Sequence, residues 1–200
     1  MNKKSFMSVR MLTVTAMLTA VSYVLYLLGF GIPIVPSFLT MDFSELPAVI
    51  AALAFGPSAG IMVCFLKNIL HLAISHTMWV GELSNFILGV CFVVPVGIIY
   101  KRHKTKKGAV AALLSGALIM SVMGVVSNYF IIYPLYDKIA FPMEVIIGMY
   151  TAILPQVTSL LPALVIFNLP FTLVKALVSV AVTLFIYKPL SPVLKGNSGI

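Results

Sequence analysis

Long apolar runs broken by short polar or proline-glycine punctuation dominate this chain. They cover about Met11–Leu28, Phe43–Phe55, Ala59–Ser75, Leu83–Tyr100, Ala109–Tyr133 and Pro170–Tyr187. Most approach the roughly 20 residues that a helix needs to cross a hydrocarbon core of about 30 Å. The run Phe43–Phe55 is shorter and stops at Gly56-Pro57, where the chain must turn. Between the first two runs, Gly29-Phe30-Gly31-Ile32-Pro33 and the stretch to Leu39 predict an ordered loop. Pro134 to Leu169 breaks the pattern with Asp137, Lys138, Pro142, Glu144, Pro155 and Pro162. A long loop with a short helix lying against the bundle is expected there. The pattern predicts an all-α integral membrane protein, residues 1–200 forming a single domain of six transmembrane helices with a short second helix.

Composition supports the membrane reading and removes other classes. The chain is 61% apolar and only 9% charged, with a mean hydropathy of +1.12, far outside the soluble range. Its net charge of +8 does not point to nucleic acid, because the basic residues flank apolar runs and read as topogenic charge and contacts with the lipid bilayer. Cys64 and Cys91 stand alone in apolar runs and support neither a disulfide framework nor a zinc site. The first run follows Lys3, Lys4 and Arg10 but is too long for a signal peptide and lacks a small-x-small cleavage site, so a retained helix is expected.

Charge then orients the chain. Asp42, Glu45, Glu82, Asp137 and Glu144 occupy connections free of basic clusters, whereas Lys101–Lys107 holds the densest basic run. Counting Phe43–Phe55 as a crossing places both termini and this cluster on one side, the cytoplasm by the positive-inside rule. No inverted repeat is visible, which weighs against a self-sufficient alternating-access carrier.

With that topology, the polar residues within apolar runs gather in the outer half: Lys67, Asn68, His71, Asn85, Asn128, Tyr129, Thr172 and Lys175, with Glu82, Asn168 and Asp42 on the same face. Intramembrane polar groups are costly unless paired or facing a polar cavity, so their convergence predicts a binding site open to the outside. Lys175, Thr172, Asn85, Asn128 and Asn168 supply donors, and the asparagines and Glu82 supply acceptors. Leu39, Met41 and Tyr129, with Phe38 and Phe86, supply flat or adaptable apolar surface. That mixture suits a planar amphipathic molecule with a carbonyl-rich edge. Arg10 and Arg102 both fall on the inner side, which favours a neutral ligand over a phosphorylated one. Each residue also has a structural reading: Lys175 as a snorkelling cation, the asparagines as interhelical glue, Lys67 as a partner of a carboxylate such as Asp42 or Glu45 or of a first-loop carbonyl, His71 and His76 as interface residues, and Trp79 in the aromatic belt.

Five strings carry a family resemblance: Pro36-Ser-Phe-Leu-Thr-Met-Asp-Phe-Ser-Glu-Leu-Pro47, Phe55-Gly-Pro-Ser-Ala-Gly60, Lys67-Asn-Ile-Leu70, Gly81-Glu-Leu-Ser-Asn-Phe86 and Asn128-Tyr129. From about residue 8 to 188 the chain resembles the substrate-binding S components of energy-coupling factor (ECF) transporters, specifically the riboflavin group. The resemblance implies a six-helix bundle in a bacterial cell membrane that captures riboflavin, a transported ligand rather than a cofactor, with the first loop as gate. The family often shows Pro-Phe-Asn-x-x-Lys near the last helix. Here the string is Pro170-Phe-Thr-Leu-Val-Lys175, with Thr172 in place of the asparagine and Asn168 as its possible substitute.

The resemblance also implies partners: a transmembrane coupling subunit and two ATPase subunits. The chain itself has no Gly-x-x-x-x-Gly-Lys-Ser/Thr phosphate loop. Ala16 and Ala20 match the small-residue face on the first helix by which the family packs against the coupling subunit. Flavin mononucleotide (FMN) and other vitamins stay open as ligands. An intramembrane enzyme using Glu82, His71 and Lys67 is the weaker alternative, since neither H-E-x-x-H nor a nucleophile-base pair appears at usable spacing. A non-transporting scaffold is the third.

Overall fold

This computed structural model describes residues 9–195, with side chains as far as residue 187. The basic residues Lys3 and Lys4, and the side chains of Lys188 and Lys195, lie outside that range.

The described chain is a helical bundle. Helix α1 is Val9–Leu27, α2 Glu45–Phe55, α3 Pro57–His71, α4 Val80–Arg102 and α5 Lys106–Ser127; α6 is Tyr133–Ile139, α7 Met143–Ile153, α8 Leu160–Ala163 and α9 Leu169–Lys195. Five continuous helical stretches are long and apolar enough to cross a membrane, and α2 and α7 are shorter apolar helices. Eleven residues of α2 rise only about 16 Å. That is half a hydrocarbon core, and α2 is correspondingly sunk inside the bundle, with Ala48, Val49, Ala51 and Ala52 sealed from the surface.

The short helix expected between Pro134 and Leu169 is present as α7, but the connection that holds it is shorter than expected. Helix continues from Lys106 to Ile139 and resumes from Leu160 to Tyr187, leaving only short non-helical pieces around α7. Prolines misled the reading. Pro162 lies in the opening turn of its helix, where a missing N–H costs little, whereas Pro134 lies inside the continuous helix, which widens just before it. The first loop is ordered as expected, with an addition: strands β1 (Phe30–Gly31) and β2 (Thr40–Met41) pair antiparallel and pinch it closed.

Small residues let the helices approach. Gly56, at φ 97°, forms the turn between α2 and α3, a backbone angle that favours glycine. That turn presses on α4 at Gly97, where an added methyl carbon would stand 2.6 Å from the Pro57 nitrogen. Close backbone approach of this kind replaces the hydrophobic drive that lipid does not supply. Helix α1 shows the matching inversion of polarity: Thr15, Thr19 and Ser22 face the bundle while Leu12, Met17, Val21 and Val24 face outward. Ala16 and Ala20 share that exposed face.

Candidate functional site

A cavity of about 610 Å³ opens at the end of the bundle that carries the first loop. Its wall is assembled from the last turn of α1 (Tyr26), the loop (Phe38, Leu39, Thr40), the end of α3 (His71), the start of α4 (Glu82, Ser84, Asn85, Leu88), the region around the end of α5 (Met120, Asn128) and the start of α9 (Thr172, Lys175).

Two asparagines reach the cavity through the same backbone device. Helix α5 runs into α6 through a π turn at Asn128–Ile132, and α8 runs into α9 through another at Leu164–Asn168. Each is centred four residues before a proline, Pro134 or Pro170. A proline ring clashes with the carbonyl four residues back, and widening the helix there relieves the clash. Such turns re-aim side chains and concentrate at functional sites. Asn128 and Asn168 thus both line the cavity.

The asparagines differ in their engagement. Asn128 Oδ1 accepts from Ser84 Oγ at 3.3 Å. Asn168 is locked with two tyrosines: its Oδ1 accepts from Tyr150 Oη at 2.6 Å, its Nδ2 donates to Tyr133 Oη at 2.9 Å, and the two hydroxyls meet at 2.5 Å. Phe38 from the first loop lies 6.1 Å, centroid to centroid, from Tyr133, Tyr136 and Tyr150 alike. The loop is therefore seated on an aromatic socket beside the cavity.

Glu82 ties the α3–α4 connection to the cavity wall. Its Oε1 meets His71 Nδ1 at 2.8 Å, and its Oε2 accepts from Ser75 Oγ at 2.8 Å and Thr77 Oγ1 at 3.2 Å. His71 stacks on Tyr26 at 3.8 Å. His71, which also has a reading as an interface residue, lines the cavity. Trp79 is exposed just beyond, in a left-handed backbone conformation that it shares with Met78.

Below the cavity lies a buried charge network. Lys175 Nζ donates to Asp42 Oδ2 at 2.7 Å, and Asp42 Oδ1 accepts from the Ser44 N–H at 2.9 Å and from Ser44 Oγ at 2.5 Å. Lys67 Nζ in turn donates to Ser44 Oγ at 2.7 Å and to Glu45 Oε1 at 2.5 Å. Burial alone would raise the Asp42 carboxyl; the Lys175 and Lys67 charges, with hydrogen bonds from Lys175 and Ser44, hold it below the usual carboxylate range.

Of the residues expected at the site, Leu39, Glu82, Asn85, Asn128, Asn168, Thr172 and Lys175 line the cavity. Three do not. Tyr129 is 39% exposed and packs against Phe130; adjacent helical residues point about 100° apart, so with Asn128 facing in, its neighbour faces out. Met41 is buried in the β2 strand beside the loop. Asp42 sits behind Lys175 rather than on the wall. Tyr26, Tyr133, Tyr136 and Phe171 were missed, because aromatic residues in apolar runs read as ordinary membrane-helix residues. Among the described residues no group of three or more His, Cys, Asp or Glu is placed to hold a metal.

Comparison with known proteins now gives this architecture its relatives. A profile for ECF transporter, substrate-specific component, matches residues 10–187. The chain belongs to that family. It is 35% identical over 189 residues to riboflavin transporter FmnP of Bacillus subtilis strain 168, covering 93% of this chain and 94% of the relative. Riboflavin transporter RibU of Staphylococcus aureus strain TCH60 is 32% identical, with coverages of 93% and 92%. A solved structure of the S component of a bacterial ECF transporter superposes with a TM-score of 0.73 at 31% identity, covering 92% of this chain and 97% of that one. The chain is thus a membrane-embedded transporter component of the S type, and the first-loop strings and polar positions that suggested the family lie in the matched region.

Proposed function

We propose that this S component captures riboflavin from outside the cell and delivers it to an ECF module for ATP-driven import. The carrying observation is the cavity itself: about 610 Å³, within the range of small-molecule sites. Aromatic and aliphatic walls suit a flat tricyclic ring, and Lys175, Thr172, Asn85 and Asn128 suit its carbonyl edge and polyhydroxyl chain. The two riboflavin transporters that match nearly the whole chain support the same ligand.

In this reading the chain crosses the membrane six times, with α2 as the short second crossing and both termini in the cytoplasm. The cavity then opens outward and the basic α4–α5 connection faces inward. Energy comes from a transmembrane coupling subunit and two ATPases, and the exposed Ala16 and Ala20 face of α1 receives the coupling subunit by close helix approach.

A growth test addresses the whole proposal. In a bacterial riboflavin auxotroph lacking its own importer, the chain co-expressed with an ECF module is expected to restore growth on low riboflavin, and the chain alone is not. Failure of the combination, with both parts present in the membrane, refutes the assignment.

A further inference from the structure

Lys175 and Glu82 are the only Lys, Arg, Asp or Glu side chains that line the cavity among the described residues, with His71 and His76 as the other titratable groups apart from the tyrosines. Glu82 is already held by His71, Ser75 and Thr77. Lys175 is the cation that an anionic ligand would seek, and it is not available as a net charge. Its ammonium is 2.7 Å from a carboxylate that is itself fully buried and fixed by two hydrogen bonds from Ser44. An ammonium paired this closely keeps N–H donors for neutral acceptors such as carbonyl and hydroxyl oxygens. Its field at greater distance is largely cancelled, so it offers a phosphate little attraction.

We propose that Asp42 is a positioning residue that sets ligand selectivity: by fixing and neutralising Lys175 from behind the wall, it makes the cavity a site for uncharged ligands and disfavours their phosphorylated forms. The proposal rests on the riboflavin reading. It differs from a purely structural role for Asp42, which would weaken all flavins alike. It also assigns the residue at the end of the first loop to the chemistry of recognition, since the same carboxylate ties the loop to α9.

The test is a set of titrations of purified protein with riboflavin and FMN, read by quenching of flavin fluorescence, on wild type, Asp42→Asn, Lys175→Met and the double variant. Wild type is expected to bind riboflavin more tightly than FMN. Asp42→Asn should shift the ratio of the two affinities towards FMN by at least tenfold, and in the Lys175→Met background the same substitution should shift it less than threefold. A shift below threefold in Asp42→Asn, or an equal shift with and without Lys175, overturns the proposal. Should Asp42→Asn not fold, Asp42→Ser takes its place: it removes the same charge with less bulk, and a shift towards FMN of at least tenfold is again expected. An unchanged ratio in that variant counts against the proposal. Loss of riboflavin binding by folded wild type overturns the riboflavin reading and this proposal with it, whereas intact wild-type binding with an unmoved ratio overturns this proposal alone.

Discussion

Removing Lys67 should unfold the protein at a markedly lower temperature although this residue does not line the cavity. Its side chain is wholly buried and its ammonium meets Glu45 at 2.5 Å and Ser44 at 2.7 Å. Substitution by Met preserves the stem but strands the Glu45 carboxylate, 1% exposed, with Cys64 at 3.7 Å as its other polar neighbour. Gly89 packs so closely there that an added methyl carbon would stand 2.8 Å from Glu45 Oε2, which leaves no room for water on that side. Breaking a buried pair by deleting one partner costs about 3–5 kcal/mol. For a chain of this length each kcal/mol moves Tm by about 2–4 °C, so Lys67→Met should lower Tm by about 6–20 °C. Lys67→Met combined with Glu45→Gln removes both charges and should recover at least half of the loss. Heating in detergent followed by size-exclusion chromatography measures both. A single-variant drop below about 2 °C, or a double variant no better than the single, would refute the claim that the pair is a closed unit in the interior.

Two further outcomes follow from packing and hydrogen bonding. Gly97→Ala sets a methyl group 2.6 Å from the Pro57 backbone, so the α2–α3 turn must shift; overpacking of this kind costs about 1–3 kcal/mol and should appear as a lower Tm in the same assay. Asn168→Ala leaves the buried hydroxyls of Tyr133 and Tyr150 without their shared amide, at about 1–3 kcal/mol. Replacing both tyrosines by Phe in that background should restore part of the lost stability.

Much of this architecture is written in hydropathy. Polar residues in apolar runs are so costly that Asn85, Asn128, Thr172 and Lys175 could be assigned to one cavity before any coordinates. Among the partners open to Lys67, two carboxylates and a first-loop carbonyl, the structure shows Glu45. What escaped was local geometry. Pro134 and Pro162 read as breakers, yet Pro162 falls in an opening helical turn and Pro134 is accommodated by the π turn before it, so a long loop was expected where helices continue. Proline alone is also not a sufficient signal for a π turn, since Pro95 lies inside α4 without one. Tyr129 was placed by adjacency to Asn128, and rotation about the helix turned it away. Asp42 was assigned to the wall because it neighbours the loop, and only its pairing with Lys175 reveals that it acts from behind.

The central claim is that this cavity binds riboflavin, and calorimetric titration of purified protein tests it most directly. One riboflavin per chain is expected, bound at submicromolar concentration, with Lys175→Ala and Asn128→Ala each weakening it at least tenfold, about 1.4 kcal/mol. No heat of binding from riboflavin at micromolar concentration, alongside clear binding of thiamine or biotin, would contradict it.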